Sequence, residues 1–366
     1  MRFLLASIAL GAAAAAVAAQ QPQQTHGAKS SSGWVPPGTP GSPITGELFH
    51  AQVLLDSAGF SPGVIDGRKG TSFIQAIKGF QEANGLNVSG KLDTPTRQAL
   101  LQQNRQSTIN VTLTNDDVSG PFVYPFPTKP EDQAKLQFMG YRNMLEKVAE
   151  RYHTTPQTVV ALNGPDKLIG PGQTLRLPNV MPRSRDYSGA INDKQKQLLN
   201  MLNVDATEPH GDFVVVDKSD GTLKVYKAGG GSTGASKSSA KGSSPSVPSG
   251  TLVAQFPVTT GSSHDPLPLG TWKATTYSFL PPFNYQPDLF WDVADDKAEQ
   301  KLPPGPNGPV GVAWLDLTKE HYGIHGTNEP STIQHTESHG CLRLTNWDVM
   351  RLSRMMKPGF TAYFVA

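Results

Sequence analysis

The chain has 366 residues, of which 37% are hydrophobic and 17% charged, and it carries 31 Pro and 36 Gly. That is long and heavily punctuated for one core and points to several modest domains. With 32 basic and 30 acidic residues, the net charge of +2 leaves no electrostatic footprint for nucleic acid, so no such partner is expected. The one cysteine, Cys341, cannot pair within the chain, which makes it either a small buried hydrophobe or a working thiol.

Residues 1–19 open with Met1-Arg2 and continue as an apolar run from Phe3 to Ala19, the pattern of a secretory signal peptide cleaved beside Ala18 or Ala19. The run is short for a membrane span and no second one follows, so no span is expected in the mature protein. Residues 20–45, rich in Gln, Ser, Gly and Pro, read as a disordered tether. From 46 to 104, Leu48, Val53, Leu54 and Leu55 predict one amphipathic helix, Phe73, Ile74, Ile77 and Phe80 a second, and Thr94-Pro95-Thr96 the start of a third. A Pro-broken connector and a further module occupy 118–181. There, residues 141–153 and 155–163 predict two short helices, the second with Thr155 as N-cap and Pro156 at its first position, and residues 169–178 a turn and closing strand.

From 211 to 366 strand signals dominate, including Phe213–Asp217, Thr222–Tyr226, Leu252–Val258 and Thr271–Thr275, with a hairpin turn at Lys218-Ser219-Asp220-Gly221. The Gly/Ser-rich stretch 228–250 reads as a disordered insertion. Residues 279–309 mix Pro with Phe283, Tyr285, Phe290 and Trp291; a loop of that length is more often functional than idle and is a candidate lid. Trp347 and Leu352 read as helix core.

Near the C-terminus stand Tyr322-Gly323-Ile324-His325-Gly326-Thr327 and Ser338-His339-Gly340-Cys341-Leu342-Arg343-Leu344. His325 and Cys341 are 16 residues apart, so only the fold can bring them together. A free thiol, with a pKa near 8.5, is mostly protonated at neutral pH, and an imidazole is the usual group to take its proton and return it to a leaving amine. Glycines beside both residues let the backbone approach a reacting carbonyl, and the Cys341 N–H, with that of Gly340, could stabilise an oxyanion. The spacings His321/His325 and His335/His339 suit zinc ligands on a helix, but Gly323 and Gly340 argue against helices there and no glutamate stands where a zinc peptidase needs one. No metal and no cofactor is expected, and His50, His153, His210 and His264 read as solvated or structural.

These two segments resemble the signature of the L,D-transpeptidase catalytic domain of the YkuD type, supported by Pro268-Leu269-Gly270-Thr271-Trp272 and by Pro303–Pro306 with Gly308–Gly311. Residues 46–104 resemble a peptidoglycan-binding domain through Ile65-Asp66-Gly67, Ala76-Ile77, Phe80-Gln81, Gly85-Leu86 and Gly90–Asp93. Leu162-Asn163 and Gly172–Pro178 are similar to a β-α-α-β lysin motif. The resemblance implies a multidomain α+β protein whose β-rich, sandwich-like catalytic domain follows these two small modules. It also implies Cys341 as nucleophile, His325 as base and the Gly326 carbonyl as the group that orients the imidazole. Ser338, His339, Gly340 and Arg343 would support the reaction or bind substrate, Arg343 through a carboxylate.

The implied partner is peptidoglycan in the periplasm or cell wall. A tetrapeptide donor stem would lose D-alanine to form a thioester, which an amine on an acceptor stem, or a lysine of an envelope protein, would take. An L,D-carboxypeptidase, a metal-dependent wall peptidase and a non-catalytic wall-anchoring protein are the alternatives. An accessible, activated thiol would also be open to oxidation.

Overall fold

The computed structural model describes residues 34–229, 245–262, 264–289, 298–336 and 340–366. The expected signal peptide, most of the tether and of the Gly/Ser insertion, Phe290, Trp291, Ser338 and His339 lie outside them. The tether expected to reach residue 45 is structured at its end: Gly38 N–H donates to the Ile44 carbonyl at 2.9 Å and Ile44 is 2% exposed.

Three helices follow, α1 (Gly46–Ser57), α2 (Thr71–Ala83) and α3 (Thr94–Leu101). Asp93 caps α3 by accepting from the Thr96 N–H at 3.0 Å. Buried Gln81 ties α2 to the turn before α3: its amide donates to Thr96 Oγ1 and the Lys91 carbonyl and accepts from the Gly90 N–H. Leu54, Leu55, Phe73, Ile77, Phe80 and Leu100 form the core of this bundle, and that core continues into Phe213, Val215, Tyr226 and Leu252 of the C-terminal domain.

The next module begins earlier than the expected residue 118. Strand β1 (Thr108–Thr112) leads through α4 (Asn115–Val118), α5 (Pro130–Gln133), α6 (Met144–Arg151) and α7 (Pro156–Asn163) to β2 (Thr174–Pro178), and β1 pairs antiparallel with β2 from Thr108–Pro178 to Thr112–Thr174. Asn143 and Thr155 cap α6 and α7. Asn163 joins α7 to β2, accepting from the Arg176 N–H at 2.7 Å and donating to the Arg176 carbonyl at 2.8 Å. This module shares its core with α1 and the segment after it: Phe49, Val53 and Ile65 pack with Val148, Tyr152, Leu162 and Leu175.

Helix α8 (Asp193–Met201) precedes strands β3 (Phe213–Asp217), β4 (Thr222–Ala228), β5 (Gly250–Pro257) and β6 (Gly270–Phe279). A ribbon of β7 (Phe283–Tyr285) and β8 (Gln300–Leu302) lies within the candidate lid. Strands β9 (Ala313–Leu317), β10 (Gly323–His325) and β11 (Leu342–Arg343), helix α9 (Asn346–Met355) and β12 (Thr361–Val365) complete the domain. The eight-stranded sheet runs β11-β10-β9-β6-β12-β3-β4-β5. It curls at β6, whose first residues pair with β12 and whose last pair with β9, with a register shift between Ala274 and Tyr277. The curl wraps α9, so Trp347, Val349, Met350 and Leu352 are fully buried.

All three regions meet at α9. Arg351 pairs with Glu208 at 2.6 Å, with Asp56 of α1 at 3.3 Å and with Asp348 at 3.8 Å. His153, just past α6, contacts Asp56 at 3.2 Å and stacks on Trp347 with ring centroids 5.1 Å apart. The histidine read as solvated or structural is structural. Burying so many charges costs free energy unless each is answered, which makes this junction sensitive to the loss of any partner. No helix among the described residues is long and apolar enough to cross a membrane.

Candidate active site

Strand β10 lies antiparallel to β9 and parallel to β11, in a register that sets Ile324 against Leu342 and His325 against Arg343. One step back, Gly323 lies beside Cys341. Because side chains alternate along a strand, Cys341, Arg343 and His325 share one face. All three line a cavity of about 820 Å³ that also takes walls from Trp314, Tyr322 and Asp265. The β7–β8 ribbon contributes Phe283 and Tyr285, and α5 of the preceding module contributes Pro130 and Gln133.

His325 is 5% exposed and held on two sides. Its Nδ1 lies 2.7 Å from the Gly326 carbonyl, so Nδ1 carries the proton and Nε2 keeps a lone pair. Its ring stacks on Trp314 with centroids 5.2 Å apart. Two glycines make this geometry possible: a Cβ at Gly323 would stand 2.3 Å from the Trp314 ring, and one at Gly326 would stand 2.1 Å from Asn346 Oδ1. Burial depresses the imidazole pKa to about 4, opposed by the Gly326 carbonyl and aided by the nearby Arg343 charge.

Cys341 Sγ donates to the His321 carbonyl at 3.6 Å. Burial pushes the thiol up to about 11; the Gly323 N–H and Arg343 act downward and Asp265 upward. With both groups buried, the pair at neutral pH is a thiol beside a neutral imidazole. Gly340 adopts φ +98°, and a Cβ there would fall 2.7 Å from Asp265 Oδ2 and 2.9 Å from the Tyr322 ring. Only glycine permits that turn into Cys341.

Arg343 is bridged to Thr259 by a pair of 3.0 Å backbone hydrogen bonds, and its Nη2 donates to Thr336 Oγ1 at 3.4 Å. Asp265, Tyr322 and Trp314 were not singled out from sequence. Tyr322 donates to Asp265 Oδ1 at 2.8 Å, and burial together with that bond raises its phenol to about 12. The dipeptide Tyr322-Gly323 ahead of His325 was the available signal, since a glycine within a strand marks a close approach.

The family model for the L,D-transpeptidase catalytic domain, YkuD, matches residues 211–365. The C-terminal domain belongs to this family. A second model, described as "Putative peptidoglycan binding domain", matches residues 46–100. The "Putative L,D-transpeptidase YkuD" of Bacillus licheniformis is 52% identical over 56 residues, 15% of this chain and 34% of that protein. The chain thus spans about a third of that relative's length. Among solved structures, an L,D-transpeptidase from Mycobacterium smegmatis matches at 18% identity over 42% of this chain and 58% of that one, with a TM-score of 0.29. One from Xylanimonas cellulosilytica matches at 14% identity over 90% of this chain and 100% of that one, with a TM-score of 0.34.

Proposed function

We propose that the chain is a peptidoglycan L,D-transpeptidase in which Cys341 is the nucleophile and His325 the proton carrier. The observation that carries this reading is the placing of both side chains on one face of β10–β11 and in one cavity. When a donor stem enters, the Cys341 proton passes to His325 Nε2 as Sγ attacks the carbonyl ahead of the terminal D-alanine. Backbone N–H groups at Cys341 and Gly340 meet the oxyanion, His325 returns the proton to the departing D-alanine amine, and a thioester remains. An acceptor amine then attacks the thioester, loses its proton to His325 and releases the thiol, giving a 3-3 crosslink or an attachment to another amine. No further energy source is needed, because the broken amide is replaced by a new one.

The high thiol pKa fits a transfer that waits for substrate, since thiol and imidazole need not form an ion pair at rest. Arg343 and the Gly323 N–H favour the thiolate once it forms. In this reading Arg343 also receives a stem carboxylate, Ser338 and His339 border the donor, and the β-α-α-β module is a lysin motif that binds glycan. The enzyme is exported by the 1–19 segment and works in the periplasm or wall.

Purified protein should be incubated with tetrapeptide-rich peptidoglycan and the muropeptides separated. Free D-alanine with crosslinks between third residues is the expected result. Tripeptides without crosslinks would make it a carboxypeptidase, and unchanged muropeptides would refute both.

A further inference from the structure

A second open cavity, of about 670 Å³, lies among all three regions. Arg68, Lys69 and Ser72 line it from the N-terminal domain, Gln157 from α7, and Ser331 and His335 from the catalytic domain. It runs into a smaller cavity of about 260 Å³, with which it shares Thr155, Gln157, Pro330 and Ser331, and which extends to Glu146 and Glu329. His335 in this trough neighbours Thr336, whose hydroxyl accepts from Arg343 of the catalytic cavity. One segment, 330–336, thus connects the two sites.

The trough is built on fixed backbone. Gln52 Oε1 accepts from the Asp66 and Gly67 N–H groups at 3.0 and 2.7 Å, and its amide donates to the Arg68 carbonyl at 3.1 Å. Gly67, at φ +74°, lies so close to Ile44 that a Cβ would fall 2.7 Å from its side chain. Opposite, Gln334 sits at φ +65°; its amide accepts from Ser72 Oγ at 2.9 Å and its backbone N–H donates to Thr259 Oγ1 at 2.8 Å. Against this frame, Arg68 and Lys69 are exposed, and no side-chain hydrogen bond or ion pair engages them, Gln157 or His335 among the described residues. A preorganised frame with unengaged polar groups lowers the entropy cost of binding.

The chemistry of the walls narrows the ligand. Amides and hydroxyls of Gln52, Ser72, Gln157, Thr158 and Ser331 share the walls with apolar Ile44, Phe73 and Ile333; Arg68 and Lys69 stand with Asp66 in the larger cavity, and Glu329 with the Arg142–Glu146 pair in the smaller. A uniform polyanion would meet Asp66 and Glu329 as well as the two cations, whereas a largely neutral chain of hydroxyls and amides carrying sparse carboxylates suits these mixed walls. We propose that the trough holds a neutral glycan strand of the polymer, with Arg68 and Lys69 meeting carboxylates on its stem peptides, so that one stem is delivered past segment 330–336 to Cys341. This rests on the peptidoglycan reading and adds that the strand site is shared by three regions, the catalytic one included. The enzyme should then prefer strand-borne stems to free ones.

Two variants of the full chain test it, the double substitution R68A/K69A and the single substitution Gln157→Ala, assayed with free tetrapeptide and with soluble uncrosslinked strands bearing tetrapeptides. The expected result for R68A/K69A is a KM for strands raised roughly five- to tenfold, the scale of two screened charge contacts, with kcat and the free-tetrapeptide kinetics unchanged. Gln157→Ala should raise the same KM by a smaller factor. An unchanged KM for strands in both variants would overturn the proposal. If neither substrate reacts even with the unsubstituted chain, the transpeptidase reading fails; strand binding to both variants by calorimetry still decides the trough, with equal Kd values counting against it.

Discussion

The cavity around Cys341 and the junction around Arg351 both gather ionisable groups, and they differ in how completely those groups are answered. Around Arg351 the charges face one another: Asp56, Glu208 and Asp348 surround the guanidinium and His153 completes Asp56, although Asp348 Oδ1 accepts no hydrogen bond among the described residues. Around Cys341 the groups border an opening of about 820 Å³, and burial holds thiol and imidazole in their neutral forms. Perturbed ionisation alone therefore does not mark a site; perturbed ionisation facing space does.

That contrast can be broken in graded ways. The largest expected effect is on the cavity: His325→Ala should slow thioester formation by roughly 10²–10⁴-fold, read by single-turnover mass analysis, because the thiol proton loses its acceptor. At the junction, Arg351→Ala leaves Asp56 and Glu208 buried without their counter-charge and should cost about 3–5 kcal/mol of stability, measured by denaturant unfolding.

A smaller pair of effects depends on pH. His325 is depressed from 6.5 to about 4, so its contribution to stability is full above pH 6.5 and is lost as pH falls toward 4, a swing on the order of 3 kcal/mol. Glu150 runs the other way. Burial raises its carboxyl from 4.5 to about 7, against bonds from Tyr141 and Asn346, so its contribution is full below pH 4.5 and is lost as pH rises through 7. Glu150→Gln should flatten the decline between pH 4.5 and 7 while leaving the acid limb set by His325. The smallest effect belongs to the exposed Arg97–Glu47 pair at 2.6 Å, where Glu47→Ala should shift stability by less than about 0.5 kcal/mol.

Local chemistry was legible in the sequence. The cap at Thr155, the hairpin before Gly221 and the burial of Trp347 all follow from short-range pattern, whereas the cap at Asp93 emerged only in the fold. What escaped depends on distant partners. Strand β1 offers only Thr-Ile-Asn-Val-Thr, and its mate β2 begins more than sixty residues later. Asp265 and Tyr322 become a pair only because the sheet curls, and Gly340 must be glycine because of both. The regions read as modules on linkers share cores, since Phe49 packs into the module closed by β1 and β2 and Phe80 into a cluster with strand residues. No periodicity within a single segment reports such shared faces.

In the proposed reaction Cys341 is a nucleophile that is neutral at rest and acylated by substrate. Intact-mass and peptide-mass analysis after incubation with a tetrapeptide donor measures this directly. An adduct on Cys341 equal to the donor less D-alanine, forming at neutral pH and absent in Cys341→Ala, is predicted. An unmodified Cys341 under saturating donor, with D-alanine nevertheless released, would contradict it.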